Sequence, residues 1–208
     1  EAACAALLRG IVLLPDYLER LQGGHRDIPI VLLPLLNELR ATRGEGGLSE
    51  SVLFSPDLDR PLPGAMESLG SAADAASGEA QAPSLEALRR ALADWRDDDP
   101  ASTAALVPAL DALLPQVRQV PARRMLWVAT NVARAIADGA LPASPALRKV
   151  FSSVERELRR SLTDQDGFVD IRGDLTQEPT RQLLYHVAHS DAEHPDLREL
   201  RQAFDLAG

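Results

Sequence analysis

The stretch AACAALLRGIVLLPDYLERLQGGHRDIPIVLLPLLNELRATR (2–43) decides the fold class. Leu7, Leu8, Ile11, Leu14, Leu18 and Leu21 recur at three- and four-residue steps, which places them on one face of a helix over 2–22. Gly23-Gly24 supplies its stop. Asp27 is placed to cap a second helix, with Pro29 tolerated in the first turn and Ile30, Leu33, Leu36 and Leu39 on the buried face. Pro15 and Pro34 lie inside the two apolar runs. Proline cannot donate to the carbonyl four residues back, so a kink or break is expected at each. Segments this apolar must pack against something, and each is too short to cross a bilayer.

Outward from this pair the period is lost between Glu45 and Pro63, where Leu48, Val52, Leu53, Phe54 and Leu58 recur irregularly. The expectation is an extended segment wrapped over the helices and anchored by Phe54, so that residues 1–63 form a helical hairpin plus wrapping segment. Residues 64–83 (GAMESLGSAADAASGEAQAP) are small and polar and read as a flexible linker. Residues 84–208 read as a helical bundle. Ser84 caps a helix carrying Leu85, Leu88, Leu92 and Trp95, which stops at Asp97-Asp98-Asp99 because like charges there oppose the helix dipole. Pro108 and Pro115 interrupt the apolar run 103–120 as Pro15 and Pro34 interrupt the first pair, and such kinks could shape a docking groove. The strongest helix runs from Ala122 to Asp138, with Met125, Leu126, Val128, Ala129, Val132 and Ile136 inward and Gly139 closing it. Ser144 and Pro145 open the next, where Leu147, Val150, Phe151, Val154 and Leu158 oppose a charged face that includes Glu155 and Glu157. Two shorter helices follow, at 179–190 and 195–206. The chain begins at Glu1 in apparent mid-helix, which is the pattern of a fragment whose first helix closes a preceding bundle.

Composition agrees with an all-α fold. Hydrophobic residues make up 45% and aromatics 4% of the 208 residues, so Leu, Val and Ala must build the core. A net charge of −9 argues against nucleic-acid binding, which needs a basic face. Cys4 is the single cysteine; no internal disulfide is possible, and its spacing beside Leu7 and Leu8 predicts a small buried side chain. With no secretory leader and no membrane-length apolar run, a cytoplasmic location and no membrane insertion are expected.

The chemistry-bearing residues are few. His25 follows Gly23-Gly24 in a loop. His186 and His189 share a helix face, with His194 close behind, and Asp191 or Glu193 could complete a metal shell. The HExxH spacing and cysteine partners that would make such a site specific are missing. No histidine stands in the His-x-x-Lys-Gly context of a phosphotransfer acceptor. The segment 164–170 has oxygen ligands but not the spacing of an EF-hand. Serine-hydrolase, P-loop and dinucleotide patterns are absent. No catalytic, cofactor-binding or metal residue is assigned, and the partner-binding residues are unknown from sequence.

Three segments carry a family resemblance: LLRGIVLLPDYLERLQGGHRDIPIVLLPLLNELRATRG (7–44) with LSESVLFSPDL (48–58), RRMLWVATNVARAIADGALPASPALRKVFSSVERELRR (123–160), and RQLLYHVAHS (181–190). They resemble the N-terminal region of PilL/ChpA-type hybrid histidine kinases, the CheA-like hubs of the chemosensory system controlling type IV pili and twitching motility. FimL-like stand-alone regulators share this architecture. The resemblance implies antiparallel helical bundles akin to degenerate histidine-phosphotransfer domains that have lost the acceptor. It implies a non-catalytic docking or scaffold role for this region, although a full-length kinase of the family is an enzyme. The partners implied are response regulators or polar scaffold proteins of the pathway. Two other readings stay open: phosphotransfer through a non-standard acceptor such as His186 or His189, and small-molecule sensing in a pocket between proline-kinked helices.

Overall fold

The computed structural model describes residues 2–25, 29–48, 50–64, 81–117, 119–163 and 173–206. Among these every regular element is helical, and there are no strands. Residues 65–80 of the expected linker 64–83, the Asp27 cap and the calcium-like segment 164–170 lie outside the described residues, while residues 81–83 of that linker are helical. The chain divides into two compact units, Glu1–Ser55 and Pro56–Gly208.

In the first unit, α1 (Ala2–Gln22) runs unbroken through Pro15, in place of the expected break. Pro15 is exposed, and one missing backbone bond on the outer side does not interrupt a helix of about six turns. The helix ends in a Schellman motif. The amide of His25 donates to the Arg20 carbonyl at 3.1 Å, that of Gly24 donates to Leu21 at 3.0 Å, and Gly24 takes φ +79°. A 3-10 turn (Pro29–Leu32) leads into α2 (Leu33–Thr42). Pro34 falls in the first turn of α2, where its missing N–H has no intrahelical partner to lose, so it starts the helix and does not bend it. A short α3 (Glu50–Leu53) follows.

The expected wrapping segment divides between the units. Its first part belongs to the hairpin: the Leu48 amide donates to Asn37 Oδ1 at 2.6 Å, and Asn37 Nδ2 donates back to the Leu48 carbonyl at 3.1 Å. Phe54 is half-buried. Residues 56–63 belong to the second unit, where the buried residue is Leu62. There Arg60 donates to the Ala203 carbonyl at 3.2 Å, and Arg124 donates to the Arg60 carbonyl at 3.0 Å.

The second unit is a helical bundle built around one enclosed helix. Its elements are α4 (Gln81–Asp94), α5 (Leu106–Leu113), α6 (Val120–Ala137), α7 (Pro145–Thr163), α8 (Gly173–Ala188) and α9 (Pro195–Phe204). Helix α6 packs against α5, α7, α8 and α9, and thirteen of its residues are buried. A helix apolar on nearly every side has no stable place except a core. The buried Thr130 hydroxyl and Asn131 amide donate to the carbonyls of Leu126 (2.8 Å) and Trp127 (3.0 Å), so neither is left unsatisfied. Trp95 meets Phe151 with ring centroids 5.7 Å apart, joining α4 to α7, and Trp127 meets Phe204 at 6.0 Å, joining α6 to α9.

Several boundaries differ from the sequence reading. Helix α4 begins at Gln81, so Pro83 and Ser84 sit inside its first turn. The Ser84 hydroxyl accepts from Gln116 instead of capping. Pro108 lies in the first turn of α5 and Pro115 in the 3-10 turn that follows, so both delimit helices. Helix α8 starts at Gly173, ahead of Pro179. Ser144 caps α7 as expected, its hydroxyl accepting from Leu147. On the charged side of α7, Glu155 and Glu157 are each only 8% exposed. Each carboxylate is held by an arginine one turn on, Arg159 and Arg160 respectively, which compensates their desolvation.

Candidate interaction surfaces

The most unusual surface is on α1. The side chains nearest α2 are Ala6, Gly10, Leu13, Tyr17 and Leu21, all buried or half-buried, and Gly10 faces Leu35. Of the residues expected to be inward only Leu21 is half-buried: Leu7 is 57% exposed, Leu8 63% and Ile11 68%, with Leu14 and Leu18 about half-exposed, and Val12 beside them is 74% exposed. The sequence reading chose the wrong one of two apolar faces. Ala6 and Gly10 let the α2 backbone approach closely, which the larger residues at 7, 8 and 11 would prevent. That pairing of small residues was the signal available in the sequence. Cys4 is exposed on the same helix, not buried as expected. Arg9 and Glu38 tie the polar edge of the hairpin.

A second surface is the groove between α4 and α5, about 440 Å³, lined chiefly by Ala87, Ala91, Ala105, Pro108 and Ala109, with Arg90 and Asp94 also in its lining. Its walls are small and apolar, and Pro108 lies in its floor as the first-turn proline of α5.

The histidines form a third feature, and the structure gives each a structural contact. His25 Nδ1 lies 3.0 Å from the Arg20 carbonyl at the end of α1. His189 stacks on Tyr185 with centroids 4.0 Å apart, and its Nδ1 lies 2.9 Å from the Tyr185 carbonyl. His186 lies edge-on to Tyr185. Burial, and then the neighbouring His189, push the His186 imidazole below its ordinary value of 6.5. His194 is the N-cap of α9. Its Nδ1 accepts from the Asp196 amide at 3.3 Å, which leaves Nε2–H to donate to Asp138 Oδ2 at 3.1 Å. That bond connects the end of α6 to the start of α9. Among the described residues no three His, Cys, Asp or Glu side chains converge as a metal shell, so Asp191 and Glu193 do not complete one with His186, His189 and His194. The run Asp97–Asp99 forms the turn after α4, with Asp98 at φ +64° donating its amide to the Ala143 carbonyl at 2.8 Å.

Arg201 is a key residue that the sequence reading passed over. From α9 its guanidinium donates to the carbonyls of Ala192 (3.0 Å), Val187 and Ser190, serving orphan acceptors at and beyond the end of α8. Arg124 plays a similar part under the 56–63 strap. Burial holds its pKa below the ordinary value, opposed in part by the charges of Asp59 and Asp57.

Among the described residues no helix is long and apolar enough to cross a membrane. No solved structure matches the chain. The scaffold protein FimL of Pseudomonas aeruginosa is 29% identical over 227 aligned positions, which cover 100% of this chain and 36% of that protein. The chain therefore spans little more than a third of the length of that relative. Residues 74–208, which contain α4 to α9 and the enclosed helix at their centre, match the model of the FimL scaffold protein second domain. By that match the chain belongs to the FimL scaffold protein second-domain family.

Proposed function

We propose that this chain is a non-catalytic docking domain of a scaffold protein acting in the chemosensory signalling that controls type IV pili and twitching motility. The family membership of residues 74–208 carries the reading, together with the likeness to the P. aeruginosa scaffold protein FimL. The PilL/ChpA-like segments at 7–44, 123–160 and 181–190 support the pathway. An open apolar stripe on α1 and a groove between α4 and α5 supply surfaces suited to protein partners. The partners are response regulators or polar scaffold proteins of that pathway, met in the cytoplasm.

The test is a crosslinking pull-down with the purified chain as bait against the pathway's response regulators and its polar scaffold proteins, each purified. Saturable capture of at least one at cellular concentration is expected. Capture of none overturns the reading. Incubation with the phosphorylated kinase core should leave the chain without acid-labile phosphohistidine; labelling at His186 or His189 would make it a phosphotransfer domain instead.

A further inference from the structure

Residues 56–63 (PDLDRPLP) lie on the second unit without joining its helices. Prolines at 56, 61 and 63 remove three of eight amide donors, and the segment forms neither helix nor strand. Among the described residues no backbone–backbone hydrogen bond ties it to the bundle. Its side chains alternate instead. Asp57, Asp59 and Pro61 are exposed, Leu58 and Arg60 between them are half-buried, and Leu62 is buried. One side of a short peptide is laid down and the other is left in water, as in a bound peptide ligand.

Two arginines make the attachment. Arg60 donates to the Ala203 carbonyl, one of the acceptors that the end of α9 leaves without an intrahelical partner. Arg124, half-buried near the start of α6, donates from Nη2 to the Arg60 carbonyl. Its Nε is enclosed and has no hydrogen-bond partner among the described residues. Nε and Nη2 form one edge of the guanidinium, which a carboxylate takes with both oxygens and a single carbonyl cannot. The charges of Asp57 and Asp59 act on Arg124, but Asp57 Oδ1 is spent on the Asp59 amide at 3.1 Å. The strap therefore fills its own site incompletely. The core does not depend on it: α6 is enclosed by α5, α7, α8 and α9, and the family match begins at residue 74, past the strap.

We propose that residues 56–63 are a displaceable occupant of a peptide-docking site between the start of α6 and the end of α9. An acidic, leucine-bearing segment of a partner takes that site by setting a carboxylate on the Nε–Nη2 edge of Arg124. The partner rests on the docking role proposed above; the test needs none, so its failure leaves that role standing.

The probe is a fluorescent peptide of residues 56–63 followed by anisotropy. The 208-residue chain carrying Arg60→Ala and Leu62→Ala should bind it saturably, at least tenfold tighter than the wild type, whose own strap competes. Adding Arg124→Gln should weaken binding at least tenfold. An unlabelled peptide of residues 56–60 should displace the probe at least tenfold better as the free acid, which puts a carboxylate where the Arg60 carbonyl lies, than as the amide. Helical circular dichroism of the double variant should match the wild type. In the wild type, hydrogen exchange of the strap amides should proceed by local opening while α6 stays protected. No saturable binding, or binding that Arg124→Gln leaves unchanged, overturns the site. Equal displacement by acid and amide overturns the carboxylate. Strap amides that exchange only with global unfolding make the strap part of the fold and overturn its displacement.

Discussion

Helix α1 spans 21 residues and α6 spans 18, and both are built largely from Leu, Val and Ala at helical spacing. Helix α6 meets four neighbouring helices, and its Met125, Leu126, Val128, Val132 and Ile136 are 0% exposed. In α1 only the small face, Ala6 and Gly10, is fully covered, and the larger aliphatics stand in water. Apolar periodicity says that a face will be buried. It does not say by which partner, nor which face when two are apolar. Helix α6 has its partners within its own unit, whereas α1 packs on α2 through its small face and leaves its larger aliphatics exposed.

The sharpest way to break this contrast is truncation on each helix. Leu126→Ala in α6 should cost about 2–5 kcal/mol, as a cavity in an enclosed core. Ile11→Ala should cost less than ~0.5 kcal/mol, as an exposed site. Urea unfolding followed by circular dichroism separates the two. Equal costs would erase the distinction between the helices.

The next effect probes how the bundle around α6 is tied off. Arg201→Ala strips donors from the carbonyls of Val187, Ser190 and Ala192 and should cost about 2–3 kcal/mol in the same assay. Arg201→Lys, with a point charge in place of the planar fork, should recover only part of that.

These cases mark what was legible in the sequence. The α6 core residues, the Ser144 cap, the Gly24 and Gly139 stops and the inward trio Leu183, Leu184 and Val187 follow from local rules, because their burial requires only one correct face. Arg201 was not legible, since its partners lie nine to fourteen residues back and are backbone carbonyls, which leave no mark in side-chain patterning. The α1 face was misread because both of its candidate stripes keep helical spacing. The 56–63 strap was assigned to the wrong helices, as an aperiodic segment carries no signal of what it lies on. Of the candidate sites, the sequence located the histidine cluster but not its roles: His194 is a helix cap, and His189 is stacked on Tyr185.

A smaller, pH-dependent effect comes from His186. Its folded-state pKa lies below the ordinary 6.5, so the unfolded chain takes up the proton first as pH falls. Stability contributed by the neutral imidazole is complete above about pH 6.5, declines as pH drops through that value, and stops changing below the folded pKa. Urea midpoints at pH 7.5 and 5.5 should fall more for the wild type than for His186→Gln. An equal fall in both would remove His186 from the account.

The last effect returns to α1 and has the opposite sign. A Cβ at Gly10 would sit 3.8 Å from Leu35 Cδ2, an ordinary contact, so Gly10→Ala should stabilise the hairpin by about 0.5–1 kcal/mol. A loss of stability there would mean that α1 and α2 approach more closely than this geometry allows.

The most direct test of the contrast between the two helices is hydrogen exchange with peptide resolution. Amides of α6 should exchange only with global unfolding, while those of α1 exchange through local opening at lower protection. Protection in α1 equal to that of α6 would contradict the account.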